Sequence, residues 1–334
     1  MNFKRILAWL LAVIMCFVFA SCKNDSEKED ASAKNNTEQT TEAPEDSQSE
    51  NPSPILYRVT DESGNVIWLF GSIHVGREDY YPLPDYVLNA FDSSDILAVE
   101  ADIVAYAADA DQQMQAMSHL VYSDGSTVKD HIPQDLYIKA VKILEENDSY
   151  VPALDWYCPA FWSSMIDSVM IDALGGSSDL GIDLHLIEKA YEDDKEIAEI
   201  ESIEFQYKML ADFDDEIQLM LLQSSIETYE DQDSAAVEFK EMMDLWASGN
   251  EEEFSEYLNG VDYEEMTDEE IRIFERYNQE MTLNRNLDMA DYAEQALSSG
   301  KEVFICVGSA HIIGDDAVAD LLSQRGYKVE RITK

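Results

Sequence analysis

A four-residue pattern, Gly-Ser-x-His, occurs twice in this sequence, and each copy directly follows an apolar run rich in β-branched and aromatic residues. The first copy runs from Gly71 to His74 and the second from Gly308 to His311. Apolar runs of this kind that end at glycine predict buried strands. Ligands bind beyond the carboxyl ends of strands in open α/β sheets. The repeat therefore predicts that these two histidines, among five in the chain, face one site.

The rest of the sequence alternates predicted strands with predicted helices. Turn residues between the runs 55–60 and 66–71 predict a hairpin, and residues 204–299 predict a long helical tract broken near Gly249 and Gly260. The predicted fold class is α/β, a central β-sheet covered by helices, with a possible internal pseudo-symmetry from the two equivalent strand–turn units. Further strands are predicted over 95–100, 196–201, 302–307 and 327–332, and further helices over 85–91, 103–120, 134–147, 157–174 and 315–325.

The first residues predict a targeting segment. Lys4 and Arg5 precede an apolar stretch that is too short for a transmembrane helix and ends in small residues before Cys22. This end resembles a bacterial lipoprotein signal, with Phe19 where an aliphatic residue is usual, which implies lipidation of the Cys22 thiol. Residues 1–21 are expected to be removed, leaving an extracytoplasmic protein anchored to the bacterial cell membrane. The alternative is ordinary cleavage that leaves a free thiol.

Composition separates a tether from a domain. Residues 22–54 are almost free of apolar side chains and predict a disordered tether to the lipid bilayer, whereas residues 55–334 predict the α/β domain, either one core or two interlocked halves. The net charge of −48 argues against nucleic acid as a partner. Cys158 and Cys306 are left in the domain, and either buried thiols or one disulfide agree with the sequence, which does not indicate an oligomeric state.

Four of the predicted strands carry polar residues at their carboxyl ends. Imidazole and carboxylate groups suit a divalent metal such as zinc, manganese or cobalt, and they equally suit a metal-free acid–base site. A glutamate in such a position is also often only a solvated strand end. The absence of HExxH, GxSxG and Walker patterns argues against the commonest metallopeptidases, serine hydrolases and P-loop proteins. The four residues are His74, Glu100, Glu201 and His311.

The other polar and aromatic candidates are interpreted as structural. His119 and His131 lie in polar surroundings typical of a surface. His185 lies near the start of a predicted helix, and Asp183 is available to cap that helix. The stripe of aromatic and Met residues within 157–174 is interpreted as core rather than as the wall of a groove.

The chain resembles the TraB/GumN family (TraB/PrgY/GumN, in a Tiki-like superfamily), which includes plasmid pheromone-shutdown proteins and the animal Tiki proteins. Two Gly-x-x-His motifs that flank acidic residues are the hallmark of this family, and the second copy here is followed by Gly314 as in the family pattern. Ile200 in place of Leu, and Cys158-Pro159 in place of Lys-Pro, depart from the pattern. Further matching segments are Leu97 to Asp102, Gly181-Ile-Asp183, Lys195 to Glu201 with Gln206, and Arg285-Asn286.

The resemblance implies an α/β fold similar to erythromycin esterases and the ChaN haem-binding protein, and a metal-dependent peptidase-like activity. It implies that His74, Glu100 and His311 form the metal or catalytic centre, with Glu201 as a supporting carboxylate and Arg285 as a stabiliser of a developing oxyanion. The expected function is a membrane-anchored, metal-dependent hydrolase of peptides or proteins. A protein that sequesters a peptide without cleaving it, and a metal-free esterase-like hydrolase, are the alternatives.

Overall fold

The structure is a computed structural model that describes residues 52–261 and 263–333. The predicted signal peptide, the predicted lipidation site Cys22 and nearly all of the predicted tether lie outside the described residues. In the part of the chain that the structure describes, no helix is both long enough and apolar enough to cross a membrane.

A six-stranded sheet with the order β4-β3-β5-β2-β1-β6 forms the centre of the fold. Strands β4, β3, β5 and β2 run parallel, whereas β1 pairs antiparallel with both β2 and β6. The β1–β2 hairpin follows from the turn at Asp61, whose Oδ1 accepts hydrogen bonds from the backbone N–H groups of Ser63 and Asn65. The strands are β1 Leu56–Thr60, β2 Val66–Ser72, β3 Ile96–Val99, β4 Glu196–Glu199, β5 Val303–Gly308 and β6 Lys328–Ile332.

Helices cover the sheet and fill the tract that was predicted to be helical. This tract breaks at Gly249, which adopts a left-handed φ of 66°, and again at Gly260. Short breaks at Phe213-Asp214 and at Asp231 and a π-helical segment, Gln279–Leu283, also interrupt it, which the periodicity does not predict. The α-helices are α1 Asp85–Ser93, α2 Ile103–Ala108, α3 Ala110–His119, α4 Val128–His131, α5 Gln134–Glu146, α6 Pro159–Ala173, α7 Ile182–Glu192, α8 Ile203–Asp212, α9 Asp215–Glu230, α10 Gln232–Ser248, α11 Glu251–Asn259, α12 Asp268–Asn278, α13 Asn284–Ser299, α14 Ser309–Ile312 and α15 Val318–Gln324.

The predicted α/β class and the predicted core are confirmed. On α6, Phe161, Trp162 and Met165 are buried, and the indole N–H of Trp162 donates to the carbonyl of Leu154 over 2.9 Å. Cys158 and Cys306 are both buried and unbonded to each other, so the disulfide alternative is wrong. The pseudo-symmetry and the similarity to esterase and ChaN folds stay predictions.

The pairing of β2 with β5 brings the two Gly-Ser-x-His motifs side by side. These parallel strands are in a register that sets Ser72 opposite Gly308. The contact is close at Gly71, where a Cβ atom would lie 2.9 Å from Ser309 Oγ and 3.2 Å from Ser309 Cα. Glycine at position 71 therefore permits the approach of the two strand ends, and any larger side chain would push them apart.

Candidate active site

The carboxyl ends of the parallel strands meet in one buried cluster. Glu100 directly follows β3, and His74 and His311 follow β2 and β5, all three less than a tenth exposed. A Cβ atom built on Gly308 would lie 3.4 Å from Glu100 Oε1, 3.8 Å from His74 Nε2 and 3.8 Å from His311 Cδ2. Three of the four predicted side chains therefore converge on the space that the missing Gly308 side chain leaves.

His74 is held by a carboxylate from a helix. Its Nδ1 hydrogen-bonds Asp183 Oδ2, and α7 is docked beside it by a 2.9 Å bond from the Ile182 N–H to the carbonyl of Ile73. The prediction that Asp183 caps this helix is wrong, because Gly181 occupies the N-cap position and the Asp183 side chain turns to the histidine. Burial lowers the pKa of His74, but the charge and the hydrogen bond of Asp183 outweigh burial and raise that pKa overall.

His311 has a neutral partner instead. Its Nδ1 lies 2.7 Å from Asn286 Oδ1, and Asn286 Nδ2 donates to the carbonyl of Asp316 over 2.9 Å. The second bond fixes the orientation of the amide, so His311 carries its proton on Nδ1 and presents a lone pair at Nε2. Burial and the charge of Arg285 lower the pKa of His311 to about 3, which keeps the ring uncharged at neutral pH.

Glu100 and Glu201 share one arginine. Arg285 donates from Nη2 to Glu100 Oε2 over 2.6 Å and from Nε to Glu201 Oε1 over 2.7 Å. Gln206 Nε2 donates to both carboxylates at 3.1 Å, and the Gly308 N–H donates to Glu100 Oε1 at 2.8 Å. Burial alone would raise the pKa of Glu100, but the charge of Arg285 together with the nearby histidines lowers it to about 2. Glu100 is therefore ionised although it is buried.

The π-helical segment helps to place Arg285. In this segment the Asn284 N–H bonds to the carbonyl of Gln279, five residues earlier instead of the four of an α-helix. Arg285 Nη1 donates to the carbonyl of Met281 over 3.1 Å. The guanidinium is thus fixed by its own helix and by the two carboxylates.

A small cavity of about 20 Å³ opens among these groups, with His74, Glu100 and Asp183 in its lining. This volume exceeds the roughly 10–15 Å³ that one water molecule requires. Asp183 Oδ1 is buried and has no hydrogen-bond partner among the residues that the structure describes. The cavity therefore offers one water a polar position beside the His74–Asp183 pair.

The donor types in the cluster fit a divalent cation. A hydrogen bond at Nδ1, as in His74 and His311, is how proteins commonly orient an imidazole that binds metal through its other nitrogen. Glu100 would add a carboxylate, although its Oε2 is already engaged by Arg285. Within 52–261 and 263–333, no three His, Cys, Asp or Glu side chains form a group that could hold a metal ion as they stand.

The remaining histidines lie outside the cluster. His119 bonds Glu204 at a half-exposed position, His131 stacks on a tyrosine ring, and the ring of His185 packs against Tyr81 with 4.4 Å between ring centroids. Sequence reasoning gave no role to Gln206 or Asn286, which had appeared only as matches to the family pattern. The one signal for Asn286 is its position next to Arg285, on the same turn of α13.

The fold and the cluster define an α/β protein in which two Gly-x-x-His motifs place buried histidines around an ionised glutamate. The family model described as TraB/PrgY/gumN family matches residues 55–331, and the chain belongs to this family. It is 27% identical over 154 residues to the uncharacterized protein YbaP of Escherichia coli (strain K12), and equally to YbaP of Shigella flexneri. These matches cover 44% of this chain and 52% of each relative, so the chain spans about half the length of the curated relatives it matches. No solved structure matches.

Proposed function

We propose that this protein is a membrane-anchored, extracytoplasmic hydrolase of the peptidase type, with its reacting centre at His74, Glu100 and His311. The observation that carries the proposal is the buried His74–Asp183 pair, which faces an ionised glutamate across a cavity of water size. Anchoring through lipidated Cys22 is the sequence-based part of the proposal, and radiolabelled fatty acid that fails to enter the protein would contradict it.

His74 is suited to act as the general base. Because Nδ1 is engaged by Asp183, a proton taken from an attacking water is received at Nε2. The Asp183 carboxylate stabilises the resulting imidazolium, in agreement with the raised pKa of His74. The neutral His311 keeps the second ring from repelling this positive charge.

In the metal-dependent alternative, His74, His311 and Glu100 would instead be the ligands, and His74, with Nε2 bound to the metal, would not act as the base. When bound, the metal would supply a Lewis acid for the carbonyl group and lower the pKa of a coordinated water. The Arg285–Glu100 salt bridge favours the metal-free alternative, because Arg285 already supplies a positive charge to this carboxylate. Most of the Arg285 donors are engaged by Glu100, Glu201 and Met281, so its proposed role is to hold these carboxylates rather than to bind an oxyanion.

The test is peptide cleavage by the purified full-length protein, followed by mass spectrometry of a mixed peptide pool with added Mn²⁺, Co²⁺ or a chelator. The variants are His74→Ala and His311→Ala, and His119→Ala is the matched control outside the cluster. We expect the unmodified protein and the His119→Ala control to cleave peptides, and both active-site variants to lose this cleavage. Loss of a general base should lower the cleavage rate by roughly 100-fold or more. Cleavage that survives chelation would select the metal-free mechanism.

Equal cleavage rates for all variants would overturn the proposal. Peptides that are retained by the protein and recovered intact would also overturn it, in favour of sequestration without catalysis.

A further inference from the structure

A second, larger cleft lies on the outside of the molecule next to the cluster. It has a volume of about 1040 Å³ and runs between α8 on one side and the π-helical segment with the start of α13 on the other. Arg285 belongs to its wall and at the same time bonds Glu100 and Glu201 inside the cluster. Likewise α8 lines the small cavity with Gln206 and the cleft with Phe205. Arg285 and α8 therefore contribute side chains both to the cleft and to the candidate active site.

The cleft carries apolar side chains on both sides of its mouth. Phe205 on α8 is 43% exposed, and Leu287 on α13 is 46% exposed. Met209 and the buried Phe213 and Ile217 continue the apolar lining inward. A single exposed apolar side chain is ordinary on a protein surface. Two of them across one concave cleft, with an apolar floor between them, are typical of a binding site.

The charges in the cleft favour a cationic partner. Its basic residues are already engaged: Lys208 by Asp212, and Arg276 by Asp214 and Glu216. The third, Arg285, pairs with Glu100 and Glu201, as described above.

Two carboxylates of the cleft lining have no basic salt-bridge partner among the described residues. Glu280 and Asp288 form no salt bridge with any residue that the structure describes, although Glu280 accepts a hydrogen bond from Asn284. The whole chain adds a net charge of −48, which attracts cations to its surface over long range. Anionic segments would meet repulsion in the same place.

From these observations we infer that the cleft binds the part of a peptide substrate that flanks the reacting bond, and that it selects an apolar residue next to Lys or Arg. The inference rests on the proposed function, because a bound peptide is a substrate only if the protein is a hydrolase. The apolar residue would lie between Phe205 and Leu287, and the basic residue would lie against Glu280 and Asp288. Arg285 connects recognition in the cleft with the carboxylates of the cluster.

The experiment measures binding separately from cleavage. Fluorescence anisotropy of a fluorescein-labelled octapeptide of alternating Leu and Lys is recorded with the full-length protein, beside the same peptide with Glu in place of Lys. We expect the Lys peptide to bind at least roughly tenfold more tightly at low salt, and the difference to shrink as salt rises. Equal affinities for the two peptides would overturn the charge selection.

Variants locate the site. Leu287→Asn should weaken binding of the Lys peptide roughly tenfold, because it removes apolar contact without adding charge. Asp288→Asn should weaken it roughly threefold and reduce its salt dependence. The matched control is Ile138→Asn, which changes a side chain 57% exposed on α5 and outside the cleft lining. If Leu287→Asn and Ile138→Asn bind equally well, the cleft is not the binding site.

The two proposals fail in different ways. Binding that depends on Leu287 in a protein that cleaves nothing would leave the cleft standing and overturn the hydrolase. Cleavage that depends on His74, with unchanged KM and unchanged binding in Leu287→Asn, would leave the hydrolase standing and overturn the cleft.

Discussion

The two Gly-Ser-x-His motifs share a sequence and a position in the sheet, yet they present histidines of opposite character. His74 faces the carboxylate of Asp183, and its pKa is raised. His311 faces the amide of Asn286 near Arg285, and its pKa falls to about 3. The motif thus sets where each ring lies, and the surroundings set its charge: burial and the charge of Arg285 lower the pKa of His311, whereas Asp183 raises that of His74.

The two glycines differ in a similar way. The backbone at Gly71 touches the second motif, and the space at Gly308 opens toward the polar cluster. One glycine is needed for packing and the other for room in the site. Repetition in the sequence therefore does not indicate repetition of chemistry.

The largest expected effect comes from Arg285, whose charge lowers the pKa of both histidines and which bonds the two carboxylates. Arg285→Met would leave Glu100 and Glu201 buried without a charge partner and should destabilise the fold by about 3–5 kcal/mol. Urea unfolding measures this loss. Arg276→Met is the control, because Arg276 and its partners are about half exposed, so its removal should lower the free energy of unfolding far less. Equal losses would mean that the buried carboxylates are not ionised.

A swap of the two histidine partners tests the comparison directly. Asp183→Asn removes the group that raises the pKa of His74, so that pKa should fall and cleavage should slow by roughly 100-fold. Since a base must be unprotonated, the acidic limb of the pH–rate profile should move to lower pH. Asn286→Asp should raise the pKa of His311 in turn.

NMR titration of ¹⁵N-labelled histidines measures the pKa of His74 and of His311 in each variant, with His119 as the internal reference. If the pKa of His74 stays where it is in Asp183→Asn, the carboxylate does not control the ring.

The smallest effects separate the two glycines. Gly71→Ala places a methyl group 3.2 Å from the backbone of Ser309 and should destabilise by about 1–3 kcal/mol. At Gly308 the nearest atom lies at 3.4 Å, an ordinary contact, so Gly308→Ala should change stability by less than about 1 kcal/mol. Because this methyl group points into the cluster, cleavage should nevertheless drop. Thermal unfolding and cleavage rates of the two variants decide the matter, and a similar stability loss in both would show that Gly308 also serves packing.

The sequence predicted the parts of the site that depend on strand geometry. His74, Glu100 and His311 follow apolar runs that end together because parallel strands in register end together. Among the side chains that come from helices, only Arg285 has a predicted role in the site, and that role follows from the family resemblance. The position of Asp183 at a helix start predicts a cap, and only the docking of α7 against Ile73 directs its side chain to His74 instead. Asn286 and Gln206 reach the cluster from α13 and α8, and local periodicity carries no information about which distant ring or carboxylate they meet.

The position of β5 in the sequence determines when the candidate active site can assemble during synthesis. The strand is near the end of the sequence, yet it lies in the middle of the sheet and joins β3–β4 to β2–β1. A nascent chain that has not yet reached β5 therefore holds two half-sheets without the strand that joins them, and it has His74 without His311. Pairing across such a sequence separation is slow, because a long loop must close first. A chain shortened before Val303 lacks both β5 and His311 and carries no assembled centre, so the site cannot act until both have been synthesised.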